Sequence, residues 1–538
     1  MRRNLIVCII ILNVANFFAE NMYDHIPVDT VMQERVGIDD SVSVSAGIIY
    51  FTPHAALEDS LVMDYGYWTT EPPVDESKCK EELTKRPFLA AGQVFTLNMA
   101  VWAFDRFILE GDYAYINFHT MRRNLRTGFV WDNDNFSTNL FFHPYHGNLY
   151  FNAARSNGLN FWQSVPYAMG GSLMWELFME NEPPAINDWI ATSLGGSCLG
   201  EITWRISDLF IDQSATGMER VAREAAILVI SPMRGLNRLL FGDTWKQSSC
   251  AGRTIDRPEL VFSTSLNFRY LAERSNWEDG VKGAQLELNL VYGNPMNDFD
   301  GKPYSFFALD AKFNFMSGQP FVGGVSAKAL LWGTHLKSKP DAGLLLGVFQ
   351  HFNFQDSNPI KSGDTETEPY QISEAASFGG GMICSVPIVS QRLYFFSDVY
   401  INGVLLGGSH TDYYRVIDRD YNMGSGYSFK IIPGISWRNV GSLRLGIDRI
   451  QLYTWKGYKK GLDLSQLSEE EMIYLNVQGD KGNAALTTLT AQMAIQLYEN
   501  LELNLSQAYY LRRSKYTDFP DVSYEAVESK IGLLYRFK

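Results

Sequence analysis

The chain has 538 residues, enough for two or three domains, and its 46% hydrophobic and 14% aromatic content excludes a disordered polypeptide while sufficing for a core or a lipid-facing belt. A formal charge of -14, with no cluster of Lys or Arg, excludes nucleic acid as a partner, because phosphates call for a basic face.

Residues 1–19 carry Arg2 and Arg3, then the apolar run Leu5 to Leu12, and end in Ala19. This is the layout of a secretory signal with cleavage after Ala19, so the mature chain is expected to leave the cytoplasm. Cys8 lies inside the apolar run and is read as part of the signal. The remaining cysteines, Cys79, Cys198, Cys250 and Cys384, have no CxxC or zinc spacing. Cys79 and Cys250 sit in polar loop sequence and can pair in a compartment where disulfides persist, whereas Cys198 and Cys384 read as buried small residues. Residues 20–85 form an acidic leader or linker with one strand-like run, Val42 to Phe51.

A helical domain is expected over 86–246. Pro87 to Leu109 is mostly apolar but is interrupted by Gln93, Asn98, Asp105 and Arg106, so a buried helix is favoured over a membrane-spanning one. The stretch HPYHGNLYFNAARSNG, His143 to Gly158, then concentrates two of the eight histidines with three asparagines and an arginine. Pro144 and Gly147 predict a turn there. Pro166 lies near the start of a helix running to about Glu180, where its missing N–H costs least. Pro183 and Pro184 separate it from a second helix, Ala185 to Ile211, and Thr216 with Glu219 forms a capping box for a third that stops before Pro232. Pro232 to Trp245 closes the domain. Gly170, Gly171 and Ser172 in one helix, and Gly195, Gly196 and Gly200 in another, predict close helix-helix approach.

From 257 to 538 the period changes to two. Leu489, Ala491, Met493, Ile495 and Leu497 fall on one side, against Thr488, Thr490, Gln492 and Gln496 on the other. Twelve such segments begin near residues 258, 283, 304, 322, 342, 376, 391, 427, 441, 485, 500 and 523, each about 10 to 16 residues long. Soluble sandwich strands are nearer 5 or 6 residues, so length selects an antiparallel transmembrane β-barrel of about 12 strands. Short links after strands 6, 8 and 10 alternate with long polar ones after 5, 7 and 9, which places both barrel ends in the periplasm. The expected fold class is therefore α plus transmembrane β-barrel, a periplasmic helical domain at the mouth or inner leaflet of an outer-membrane barrel. Inward positions of both signs, among them Glu287, Asp310, Lys312, Lys328, Asp398, Lys430, Arg444, Asp448, Glu502, Glu528, Lys530 and Arg536, predict a lumen closed by ion pairs rather than an open pore.

The runs HPYHGNLYFNAARSNG, SLMWELFME from Ser172, NDWIATSLGGSCLGE from Asn187 and SPMRGLNRLL from Ser231 resemble a family of uncharacterised Gram-negative, often Bacteroidota, envelope proteins over roughly residues 87 to 246. The resemblance implies an envelope location and a domain boundary, and assigns no residue a role.

Three chemistries are open to the His143 stretch. His143 and His146, with Glu176 or Glu180, would suit a two-histidine, one-carboxylate metal site, although no named metal signature is present and neither metal nor cofactor is expected. One histidine could serve as general base in lipid A or phospholipid hydrolysis, with Ser156, Ser164 or Ser172 as nucleophile and Glu176 or Asp188 orienting the ring. The plainer reading is a buried polar network of imidazoles with Asn148, Asn152, Asn157 and Arg155 that ties helix ends together, or a binding site for lipid, lipopolysaccharide or a periplasmic ligand. Arg234 and Arg238 are placed to meet lipid phosphates or to form salt bridges. Trp131 to Asn139, WDNDNFSTN, has the first two spacings of a calcium loop, but Phe136 stands at an oxygen position and a turn is favoured.

Overall fold

The computed structural model describes residues 80–537 apart from 132–133, 297–300, 340–341, 363–364, 390–391, 414–419, 464–465, 469–470, 472–474 and 478. The signal sequence, most of the leader with its strand-like run, Cys79 and Asp132 lie outside the described residues. Cys250 is disulfide-bonded, while Cys198 is free and buried and Cys384 is free and half-buried.

Eight α-helices come first among the described residues: α1 Pro87–Phe107, α2 Phe118–Thr127, α3 His143–Arg155, α4 Phe161–Phe178, α5 Ile186–Ile190, α6 Gly196–Leu209, α7 Gly217–Ile230 and α8 Pro232–Phe241. Local chemistry sets their ends. Asn117 and Asn160 each accept the N–H three residues on, and Thr120 and Gln163 return a bond to the cap, so α2 and α4 open in capping boxes. Gly242, at φ 81°, ends α8 in the left-handed conformation that only glycine adopts freely. Thr216 caps α7 in position but makes no side-chain bond, contrary to the expected box.

The turn expected around Pro144 is instead helix α3. Pro144 occupies the first turn, where no N–H is required, and Gly147 is retained for packing: a Cβ there would sit 1.7 Å from the Thr192 carbonyl oxygen. A Cβ on its counterpart Gly196 would sit 2.5 Å from the Gly147 Cα, so the small-residue seam is a real α3–α6 contact. Gly170 takes no part in it, since nothing lies within 4 Å of its missing Cβ.

Twelve strands then close into an antiparallel barrel: β1 Leu260–Glu273, β2 Asn276–Tyr292, β3 Phe307–Phe315, β4 Val322–Lys339, β5 Ala342–Gln355, β8 Ile372–Val389, β9 Leu393–His410, β10 Tyr421–Trp437, β11 Gly441–Thr454, β12 Gly482–Tyr498, β13 Leu501–Tyr516 and β14 Val522–Phe537. Pairing of β1 with β14, from Phe262↔Phe537 to Glu273↔Ala526, completes the ring. A small hairpin, β6 Ile360–Ser362 and β7 Thr365–Thr367, lies in the connection from β5 to β8. Along β1 the buried Ser263, Ser265, Asn267 and Arg269 face the lumen, and the exposed Leu266 and Phe268 face out.

The helices pack against the outside of this wall. Cross-strand pairs Tyr292↔Phe307, Phe307↔Ala329 and Ala327↔Phe352 lie on the outward face, and these residues share one apolar core with Phe136, Leu140, Phe161 and Cys198 of the helical region. Trp162 stacks on Trp332 at 4.8 Å, Gln350 donates to the Leu194 carbonyl at 2.9 Å, and a Cβ on Gly195 would meet the Ala375 carbonyl at 2.9 Å. Contacts run the height of the wall, from Arg205 on the Pro303 carbonyl at one end to Trp131 against Trp455 at the other. The sequence reading put this domain at the barrel mouth or inner leaflet. It lies along the wall instead, because alanines at 327 and 329 leave a shelf among large outward side chains.

Candidate functional site

The predicted site residues all lie on or beside α3, the central helix of the bundle, but they do not converge. His143, its first residue, has Nε2 3.6 Å from a carboxylate oxygen of Asp188, which also accepts the Asn187 side-chain N–H at 2.6 Å. His146, one turn on, is held between Tyr150 and Trp175, with ring centroids 4.6 and 5.6 Å away. Its Nε2 is buried without a hydrogen-bond partner. The Glu176 carboxylate accepts the Ala185 N–H at 2.7 Å and so fixes the start of α5. Among the described residues no group of three His, Cys, Asp or Glu side chains gathers to hold a metal ion.

The proposed nucleophiles are scattered. Ser156 is thirteen residues from His143 along one helix, an axial distance of about 20 Å. Ser164 donates to the Asn160 carbonyl of its own helix at 2.9 Å. Ser172 is buried against the bundle interior.

The asparagines tie α3 to its neighbours. Asn148 Oδ1 accepts from the Thr203 hydroxyl at 2.8 Å and from the Asn152 amide, and Asn152 also donates to the Gly200 carbonyl at 3.1 Å. Asn157 donates to Gln93 Oε1 at 2.7 Å and to the Ala153 carbonyl at 2.8 Å. Tyr150 donates to Asn98, whose amide donates to the Gly171 carbonyl at 3.0 Å.

At the far end of α3 the arginines enter a buried ionic cluster, in which Arg234 and Arg238 take the salt-bridge alternative of the sequence reading. Glu201 accepts two bonds from Arg155, at 2.7 and 3.0 Å, and one from Arg205 at 2.9 Å. The Trp204 ring lies between the guanidinium groups of Arg155, 3.7 Å away, and Arg234, 4.5 Å away. Arg234 pairs with Asp208 and donates to the Trp204 carbonyl at 2.8 Å, and Asp208 accepts the Ile255 N–H at 3.0 Å. Arg238 is held by both oxygens of Glu224, at 2.9 and 2.7 Å. Glu201, Trp204, Arg205 and Asp208 were missed as site residues. Their signal was available: positions 201, 205 and 208 fall on one face of a helix.

Many of the predicted inward charges are paired in the lumen, two of them with Arg269 and Glu374, which the sequence reading did not name. Arg269 meets Glu528 at 2.6 Å, Lys430 meets Glu374 at 2.6 Å, Arg536 meets Glu502 at 2.6 Å, and Lys530–Glu287 and Lys328–Asp398 are closer still. Arg269 also donates to the Tyr370 hydroxyl at 2.7 Å. Tyr370 belongs to the β5–β8 connection and packs against the inward Tyr510 with ring centroids 4.4 Å apart; Ile360 of β6 joins the same interior core with Leu271 and Leu486. This connection therefore folds into the barrel.

The closed antiparallel ring, the apolar exterior and the polar interior are the architecture of an outer-membrane barrel. Among solved structures, the chain is similar to the NanC porin, at 10% identity over 51% of this chain and 99% of that one with a TM-score of 0.24. It is also similar to the outer membrane channel DcaP of Acinetobacter baumannii, at 9% identity over 52% and 96% with a TM-score of 0.20. The transport unit of the autotransporter AIDA-I from Escherichia coli matches at 11% identity over 52% and 91% with a TM-score of 0.24. The fold assignment rests on the strand register of this chain rather than on those likenesses. No curated protein sequence matches the chain. Residues 128–233, which include α3 to α7 and the ionic cluster as far as Met233, match the family model described as a domain of unknown function, DUF3943.

Proposed function

We propose that the protein is a non-conducting outer-membrane barrel that anchors its helical bundle in the cell envelope, in a structural or binding role. One observation carries this reading: the β5–β8 connection folds into a lumen already crossed by ion pairs, with Tyr370 bound to the buried Arg269. A diffusion channel needs a continuous aqueous path, and a barrel of twelve strands is narrower than a porin of sixteen to begin with. Purified protein in planar lipid bilayers is expected to give no stepwise conductance. A stable open-state current from the unmodified protein would overturn the reading.

The His143–Asp188 contact favours one alternative, lipid hydrolysis, because it supplies a base with an acid beside it. Mass spectrometry of lipid A and phospholipids from a deletion strain, beside a His143→Ala strain, separates the two. Lipids that are unchanged at normal protein levels exclude the hydrolase; a deacylated species missing from both strains establishes it.

A further inference from the structure

We infer that the helical bundle is embedded in the bilayer beside the barrel, with the faces of α1, α4 and α8 that turn away from the wall in contact with lipid acyl chains. The inference rests on the proposed outer-membrane barrel and adds where the bundle sits in it, replacing the periplasmic position expected from sequence.

Helices of soluble domains bury an apolar stripe and expose polar residues. Here the arrangement is inverted. On α1 the buried positions are Ala90, Val94, Asn98 and Asp105, while Phe88 is 92% exposed, Phe95 54%, Phe104 51% and Phe107 65%. On α8 the buried positions include Arg234, Asn237 and Arg238, and the exposed ones are Leu236, Leu239, Leu240 and Phe241. Between Phe161 and Trp175, α4 carries no charged residue at all. Water would leave these faces unsatisfied, and hydrocarbon suits them.

Dimensions and continuity select lipid as the occupant over a soluble partner. The 21 residues of α1 span about 31 Å, close to the hydrocarbon thickness of about 30 Å. The bundle follows the barrel wall over its height, so a bilayer that surrounds one meets the other. The outward Leu346, Val348 and Ile401 of the wall are exposed apolar residues on the same face as Trp332, which stacks on Trp162 of α4, and thereby continue the belt from barrel to bundle. The interior matches this setting as well. Buried asparagines bonded across helices and a Gly147–Gly196 seam are how helices associate where lipid is as apolar as the side chains.

The test is nitroxide accessibility in vesicles of phosphatidylethanolamine and phosphatidylglycerol, using full-length protein with Cys384→Ala. Labels are placed by Phe95→Cys, Phe104→Cys and Leu240→Cys in the bundle. Leu445→Cys and Leu489→Cys on the bare wall serve as lipid references, and Lys460→Cys in the β11–β12 connection serves as the water reference; all six positions are exposed, so folding is spared. Bundle labels are expected to match the wall references, with oxygen favoured over a water-soluble nickel complex several-fold more than at position 460. Bundle labels that match position 460 while the wall stays lipid-like overturn the inference and leave the barrel reading intact. Water-like behaviour at the wall references as well overturns both.

Discussion

Glu201 is the side chain on which the bundle's charges depend. It is fully buried and pairs with both Arg155 and Arg205, which are also buried or nearly so. Removing one member of a buried ion network leaves its partners charged and unsolvated, which costs far more than the intact network gains. Glu201→Ala is expected to lower stability by about 3–5 kcal/mol, read from urea unfolding followed by tryptophan fluorescence, since Trp204 lies against the Arg155 guanidinium. Arg223→Ala breaks the partly exposed Glu219–Arg223 pair and is expected to cost no more than about 1 kcal/mol. Equal effects from the two substitutions would show that the cluster is not the keystone its geometry indicates.

Between elements, glycine sets the spacing. Gly147→Ala drives a methyl group into the Thr192 carbonyl, so α3 must move away from the α5–α6 segment, at a cost of at least about 2 kcal/mol in the same unfolding measurement. Gly170→Ala meets open space in a helix interior and is expected to stabilise by about 0.5–1 kcal/mol. The contrast shows what was legible beforehand. Both glycines stand out in the sequence, but only the neighbour across the seam tells them apart. Strands were legible because alternation is local: eleven of the twelve expected starts fall within six residues of observed ones, and the exception, β2, begins seven earlier, at Asn276. The start of the His143–Gly158 stretch was misread as a turn because Pro144 and Gly147 are breakers by local preference, and tertiary contact overrode that preference. The histidine partner was harder still. Asp188 lies forty-five residues from His143, and nothing in either segment alone selects it over Glu176, which serves the Ala185 N–H. Period-two alternation likewise marks an outward face without saying whether lipid or a helix covers it.

For the whole molecule, the question is whether barrel and bundle are one folding unit or a wall with a separable passenger. Their interface is mostly apolar: a shelf of Ala327 and Ala329 flanked by Phe307 and Phe352, with side-chain bonds that include Gln350 to the Leu194 carbonyl, Arg205 to the Pro303 carbonyl and Asn139 to the Tyr421 hydroxyl. Each barrel strand, by contrast, is paired along its length to two neighbours, and closure leaves no edge for the bundle to protect. The barrel is therefore expected to keep its form when the shelf is spoiled. Ala329 is fully buried, so Ala329→Trp places an indole where helices now pack and forces the bundle off the wall, whereas Ala491→Trp adds the same ring to exposed outward wall. Both variants are expected to retain heat-modifiable mobility on gels, the mark of an intact barrel. Only Ala329→Trp is expected to expose the bundle to trypsin, cut within 86–246. Loss of heat-modifiable mobility in Ala329→Trp alone would mean that the helices are required for the barrel to close, and that the two regions fold as one.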